Sequence, residues 1–318
     1  MNCTAVIILN YNTWQATINC IESVEKYNTA RIKYIVVDNG SADIGAVSKL
    51  ERFLFGKFNT AYSRVNDYDT PSDSLQKCTF VVSNTNDGYA CGNNKGLKFA
   101  YEDKEISHIL ILNNDILFVE DIIPALLKSQ ESLPNVAIVS PCLYKNGLRE
   151  IDYTCARRNY TTWSLLLTYL FMCRDLFGYI SCKTHERQML SCNSALQNED
   201  FFEIELPSGS CMMIPKNIMR SIGGFDSNTF LFFEENILYH KIKNLGLKNY
   251  LLPKFKCIHL GASSTSKSSC AFILSEECNS AEYYLKNYAC LTLLQRFVLP
   301  IAMGMMRLKI KIIKLVKG

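Results

Sequence analysis

HILILNNDILFVE, residues 108–120, is the stretch on which the reading of the fold turns. Ile109 to Leu112 form a continuous apolar run of strand length, which stops on Asn113, Asn114 and Asp115 before the chain turns apolar again. A strand apolar at every position suits a parallel sheet covered on both faces. The same run appears in AVIIL (5–9), YIVVD (34–38), FVV (80–82) and VAIV (136–139). Between these strands, Ile18, Ile21 and Val24, then Val47, Leu50 and Leu54, recur near helical spacing. Thr13 is placed to cap a helix that starts at Trp14, and Pro124 suits the first turn of another. Strand and helix in alternation predict an α/β chain with a mostly parallel sheet.

In such sheets ligands bind beyond the carboxyl ends of the strands. Four predicted strands end there in small polar residues: Asn10-Tyr11-Asn12, Asp38-Asn39-Gly40-Ser41, Asn84 to Gly88, and Asn113-Asn114-Asp115. Any one of these reads as an ordinary turn. Four on one edge, two of them with an Asp directly at or just after the strand, read as a site.

The 318 residues are 48% hydrophobic and 20% charged, which excludes a mostly disordered chain. A net charge of +4, from 34 basic and 30 acidic residues, does not point to nucleic acid. No signal-peptide pattern opens the sequence, so the catalytic part is expected in the cytoplasm. The 14 cysteines form no C-x-x-C pair and no zinc-spaced cluster, and are expected as reduced thiols.

Residues 145–205 are less regular, although TTWSLLLTYLFMCRDLFGYI (161–180) suits a helix near the surface. LPSGSCMMIPKNIMRSIGGFD (206–226) restores a strand-turn-helix pattern. The tail, FVLPIAMGMMRLKIKIIKLVKG (297–318), interleaves Leu, Ile and Met with Arg307, Lys309, Lys311, Lys314 and Lys317. Its uninterrupted apolar part is too short to span a bilayer. It suits a helix in the interface of an anionic membrane, or one packed on its own domain.

VIILNYN, IVVDNGSAD, NDGYACGNNKG, ILILNNDI, GGFDSNTFLFFEEN and CIHLGASS occur in the order and rough spacing of family 2 glycosyltransferases. The chain resembles their rhamnosyltransferase-like branch over about residues 3–290, including AEYYLKNYA (281–289). The resemblance implies a GT-A fold, with a mixed, mostly parallel sheet, helices on both faces and a C-terminal helical tail. The expected division is a glycosyltransferase domain over 1–262, with a nucleotide-binding half (1–140) and an acceptor and base half (141–262). A helical, membrane-associating extension is expected over 263–318. The implied reaction is inverting transfer of a sugar from a nucleotide-diphosphate donor, such as dTDP-rhamnose or a UDP-sugar, to a saccharide acceptor, lipid-linked and at the inner face of the membrane.

By the same resemblance Asp115 is the ligand of a divalent metal, Mg²⁺ or Mn²⁺, and His259 lies near that metal and the diphosphate. The leaving group's concentrated charge calls for such a hard cation. Asn10, Asp38, Asn39, Asn86, Gly88, Asn93, Asn94, Asn113 and Asn114 are expected around the donor. Glu235, with Glu234 beside it, is expected as the base that takes the acceptor's proton. Three positions depart from the family pattern: Asn113 for the first Asp of Asp-x-Asp, Glu235 for Asp, and Ile237 for a further Asp. They keep open an alternative, a relative that binds nucleotide-sugar or a partner without turnover.

Overall fold

The computed structural model describes residues 3–171, 200–261 and 269–317. The chain runs β1 (Cys3–Asn10), α1 (Trp14–Tyr27), β2 (Ile32–Asn39), α2 (Ile44–Phe58), β3 (Tyr62–Asn66), β4 (Cys78–Ser83), α3 (Gly88–Glu102) and β5 (Ile106–Asn113). Then follow β6 (Ile116–Phe118), α4 (Ile123–Ser132), β7 (Val136–Lys145), β8 (Glu150–Ile151), β9 (Ala156–Arg157), α5 (Thr162–Leu170), β10 (Phe202–Ile204), β11 (Leu206–Pro207) and β12 (Cys211–Pro215). Last come α6 (Lys216–Ser221), α7 (Glu234–Asn244), β13 (Lys248–His259), α8 (Cys270–Asn287) and α9 (Leu293–Lys317).

The main sheet has the order β10-β13-β7-β12-β5-β1-β2-β4-β3. From β5 to β3 every pairing is parallel, and β12 enters antiparallel to β5. This is the mixed, mostly parallel sheet expected. Successive residues of β1 point to opposite faces. Val6 and Ile8 join a core under α1, α2 and α4, while Ala5 and Ile7 join a second core under α3, α6 and α7. A third core lies away from the sheet, where α5, α8 and α9 close around Phe233 and Ile237.

Two local readings change. Thr13 stands at the N-cap of α1 without a side-chain cap bond. Its hydroxyl is turned to the Tyr11 carbonyl and accepts instead from Asn114 Nδ2. The segment read as a surface helix begins as α5, which buries Leu165, Leu166 and Tyr169 in the third core and exposes Trp163. Its remainder, 172–180, lies outside the described residues. Pro124 falls in the first turn of α4, as its fixed φ favours. The described cysteines are free thiols, most of them buried.

Candidate active site

Parallel register assembles the first part of the site. Pairing of β1 with β2 sets Asn10 beside Asp38, and pairing with β5 sets Leu9 beside Asn113, so these strand ends share one edge. Asn10 Nδ2 donates to Asp38 Oδ1 at 2.7 Å, and the Thr17 hydroxyl donates to Asn10 Oδ1 at 2.8 Å. Ser41 closes the ring, donating through Oγ to Asp38 Oδ1 at 2.6 Å and through N–H to Oδ2 at 3.1 Å. Asn114 Nδ2 donates to both Thr13 Oγ1 and Thr17 Oγ1, at 2.8 and 2.9 Å. Nearby, Asn39 Nδ2 donates to Asn86 Oδ1 and the Gly88 carbonyl. Lys95 braces that loop through Asp87 and Ser83.

Asn93 and Asn94 bind protein. Asn93 donates to Tyr89 O within α3, and Asn94 exchanges hydrogen bonds with the Phe225 backbone. Gly88 has φ +85°, and a Cβ there would stand 2.1 Å from the Phe230 carbonyl oxygen. Only glycine lets the two chains come this close. The Tyr89 N–H donates to that same oxygen. Gly88 therefore faces the loop that leads to Glu234 and Glu235.

Asp115 follows β5 at the same edge and is buried, 4% exposed. Antiparallel pairing of β13 with β6 puts His259 opposite Ile116, and Leu260 N–H donates to Asp115 O. This register brings His259 Nε2 to 3.6 Å from Asp115 Oδ2. On the other side of the ring, Nδ1 lies 2.6 Å from Asp152 Oδ2. Burial opposes charge on His259, but its bonds to Asp115 and Asp152 hold its pKa up at about 9. Asp115 Oδ1 is buried with no hydrogen-bond partner among the described residues. An uncompensated carboxylate oxygen is costly in that position. Among the described residues no cluster of three or more potential ligands gathers there. Asp115 and His259 together, with one carboxylate oxygen unpartnered, fit a hard cation completed by phosphate oxygens and water. Asp152 on Nδ1 is the partner that orients a metal-binding histidine.

Glu234 and Glu235 open α7, where the helix dipole favours acids. Phe232 and Phe233 just before them have φ of +73° and +67°. Left-handed geometry at two bulky residues costs about 1–3 kcal/mol each and persists only where the surroundings enforce it. Here α8 enforces it. Ser280 Oγ donates to Leu231 O at 2.8 Å, and Phe233 packs between the rings of Tyr160 and Tyr284. Upstream, Tyr283 and Tyr288 donate their hydroxyls to Asp226. Glu234 is 5% exposed, and its carboxyl is pushed up to about 8, by burial first and the Glu235 charge second. Glu235 is more open and accepts from Gly209 N–H at 3.1 Å. Ile237 is buried in the third core, which explains why this position is apolar here.

A cleft of about 670 Å³ lies between these groups. Glu234, Glu235, His259 and Asn113 line it, with Tyr160 and Phe232 among its aromatic walls. The Asn10–Asp38 network sits outside the lining, on the strand ends beside it.

A family model, glycosyl transferase family 2, matches residues 5–223. This chain belongs to glycosyl transferase family 2. The low-salt glycan biosynthesis hexosyltransferase Agl10 of Haloferax volcanii is 22% identical over 222 residues, 65% of this chain and 62% of that protein. The chain thus spans less than two thirds of the length of that relative. The fold of this chain is similar to that of GalNAc-T7 with UDP, GalNAc and Mn²⁺, with a TM-score of 0.59, 13% identity, and coverage of 89% of this chain and 48% of that one. The mannosyltransferase PcManGT from Pyrobaculum calidifontis, in complex with GDP-Man and Mn²⁺, gives a TM-score of 0.51 at 15% identity, covering 95% and 73%. Both likenesses establish the GT-A architecture.

Asp152, Arg157 and Tyr89 are not marked in the sequence, and Ser41 is marked there only as part of a polar strand end. Ser41 lies in the IVVDNGSAD motif and was open to discovery there. Asp152 and Arg157 come from an irregular stretch whose value is set by distant partners.

Proposed function

We propose that this chain is an inverting glycosyltransferase that uses a nucleotide-diphosphate sugar and a divalent metal. The observation that carries the reading is the buried, half-satisfied Asp115 beside His259, whose ring lines a cleft that also holds Glu235. Asn10, Asp38, Asn39 and Asn86 belong to the nucleotide side, with Asn113 and Asn114 at the step toward the diphosphate. Beside that side, Gly88 and Asn94 hold α3 against the 225–230 loop, and Asn93 bonds within α3.

In the reaction, the acceptor oxygen bonds to the anomeric carbon as the bond from that carbon to the phosphate oxygen breaks. The electron pair leaves with the nucleoside diphosphate, and the hydroxyl proton passes to Glu235. Glu234, protonated near neutral pH, is the poorer base. A cation held by Asp115 and His259 would neutralise charge on the leaving diphosphate. The solved relatives with Mn²⁺ and nucleotide or nucleotide-sugar support this assignment.

The acceptor in this reading is a lipid-linked saccharide at the inner face of the membrane, in cell-surface polysaccharide synthesis. Among the described residues no helix is long and apolar enough to cross a bilayer. Support comes from α9, which is apolar on two opposite faces. Leu299, Met303, Met306 and Ile310 pack into the third core, while Leu294, Phe297, Ile301, Leu308, Ile312 and Leu315 are exposed. Lys311 and Lys314 flank the exposed stripe, and residues 293–318 contain no acid. That face matches an anionic lipid surface.

Calorimetric titration of UDP, dTDP and GDP, each with and without Mn²⁺, tests the core of the reading. Binding of one nucleotide that requires Mn²⁺ and is lost in Asp115→Ala is expected. Mn²⁺-independent binding of all three would overturn the metal assignment. Absence of any binding would favour a relative without turnover.

A further inference from the structure

Arg157 stands on β9, a two-residue strand whose antiparallel partner is β11, with Leu206 opposite Arg157 and Pro207 opposite Ala156. Directly after β11 the chain turns through Ser208, Gly209 and Ser210. There the Gly209 N–H donates to Glu235 Oε1 at 3.1 Å. The Arg157 guanidinium reaches that same oxygen at 3.3 Å. One short strand pair thus directs a fixed dipole and a full positive charge at a single carboxylate oxygen. A Cβ on Gly209 would stand 3.2 Å from Glu235 Oε1 and 2.9 Å from the Tyr89 hydroxyl, so the approach is close on both sides. The two charged side chains are 23% and 20% exposed, well short of a solvated surface pair.

The turn has a second attachment. Asn113 N–H donates to Ser210 O at 2.8 Å, and Tyr89 OH donates to Gly209 O at 2.7 Å. The group that grips Glu235 is therefore tied by backbone to the strand that delivers Asp115. A rigid link of this kind fixes the distance from base to leaving group, on which a displacement depends.

We propose that Arg157 is a positioning residue for transfer: with the Gly209 N–H it holds Glu235 Oε1, leaving Oε2 for the acceptor hydroxyl and keeping this carboxylate, rather than Glu234, ionised. The inference rests on the assignment of Glu235 as base. Its physical need comes from the neighbourhood. Glu234 adjoins on α7, Tyr89 faces from α3, and Glu277 from α8 and His259 from β13 line the same cleft. Two adjacent carboxyls in a sheltered cleft resist double ionisation. The guanidinium also acts on Glu234 at longer range, but its contact is with Glu235 Oε1, and the planar fork makes that contact directional.

The first half of the test needs no substrate. In protein labelled with ¹³C at the glutamate carboxyls, the Glu235 resonance is identified by its loss in Glu235→Gln. Its titration midpoint should move up by about one pH unit in Arg157→Gln and return toward wild type in Arg157→Lys. In parallel, sugar release from UDP-glucose, dTDP-rhamnose and GDP-mannose is followed against pH. For any donor turned over, the acid limb should shift upward by a similar amount in Arg157→Gln, with kcat falling ~10-fold or more and donor KM unchanged. An unmoved Glu235 midpoint overturns the proposal. So does a rise in donor KM with no shift of the acid limb, which would make Arg157 a donor-phosphate contact. Loss at every pH with a lowered melting temperature, unrelieved by lysine, would make it structural and equally end the proposal. If Glu235→Gln itself turns over normally, the base assignment has failed, which is a different result from an unmoved midpoint in a protein where Glu235→Gln is inactive.

Discussion

The nucleotide edge and the base loop hold their polar residues by opposite means. At the nucleotide edge, Asn10, Asp38, Ser41, Thr17 and Asn114 satisfy one another in a closed ring at the ends of adjacent strands. Sheet register brings the strand ends together, and Thr17 on α1 completes the ring. At the base loop, Glu234 and Glu235 follow two left-handed phenylalanines, and the chain is held from outside by α3, the 208–210 turn and α8. A ring of local, satisfied bonds makes a rigid platform. A strained loop under several distant restraints concentrates its cost where the chemistry is placed.

The sharpest way to break that comparison is Glu235→Gln. Transfer should fall by about 10²–10⁴-fold, the usual contribution of a general base, while nucleotide affinity is unchanged. Activity near wild type would show that the loop holds no base. Gly88→Ala comes next, and it separates the two regions by its readout. The new methyl cannot share space with the Phe230 carbonyl, and φ +85° strains any side chain. We expect kcat to fall roughly 10²-fold through displacement of the loop, with Mn²⁺-dependent nucleotide binding retained. If nucleotide affinity falls instead, Gly88 belongs to the donor platform and the loop assignment is wrong.

The same contrast explains what could be read from residues alone. β1, β2, β4 and β5 announce themselves as continuous apolar runs, and their polar ends follow in register, so Asn10, Asp38 and Asp115 were legible as one edge. His259 was placed by resemblance, and the pairing of β13 with β6 supplies the physical reason it reaches Asp115. Nothing local marks Asp152 or Arg157, because their importance lies in partners about a hundred residues away in one case and nearly eighty in the other. The helical tail illustrates a third situation. Alternation of Leu, Ile and Lys showed an amphipathic helix but not that it has two apolar faces, since the second becomes visible only once α5 and α8 cover the first.

That second face gives the third prediction. Leu308→Glu with Ile312→Glu changes two exposed positions, 50% open each, outside the packed face. Withdrawing two such side chains from lipid costs about 1.5–3 kcal/mol apiece. Co-sedimentation of the full chain with phosphatidylglycerol-containing vesicles should therefore fall by more than an order of magnitude, while nucleotide binding stays the same. Unchanged sedimentation would remove α9 as the membrane contact. A wild-type dimer abolished by the substitution would assign the face to a second copy of the chain.

The smallest effect expected is the most direct measure of strain at the base loop. Glu234 is held protonated up to about 8, against 4.5 for an ordinary glutamate, by burial and by Glu235. Between those values the native chain keeps a proton that the unfolded chain releases, so stability falls as pH rises through the window. Glu234→Gln carries no titrating proton and does not share this loss. Melting temperatures of wild type and variant should agree near the acid end of the window and separate above it. At the alkaline end the variant should be higher by a few degrees, since ~1 kcal/mol moves a chain of 318 residues by roughly 1.5 °C. Parallel curves would mean that Glu234 is ionised in the native protein. The two carboxylates would then not share a single charge, and the base loop would lack the electrostatic tension that sets it apart from the satisfied ring at the nucleotide edge.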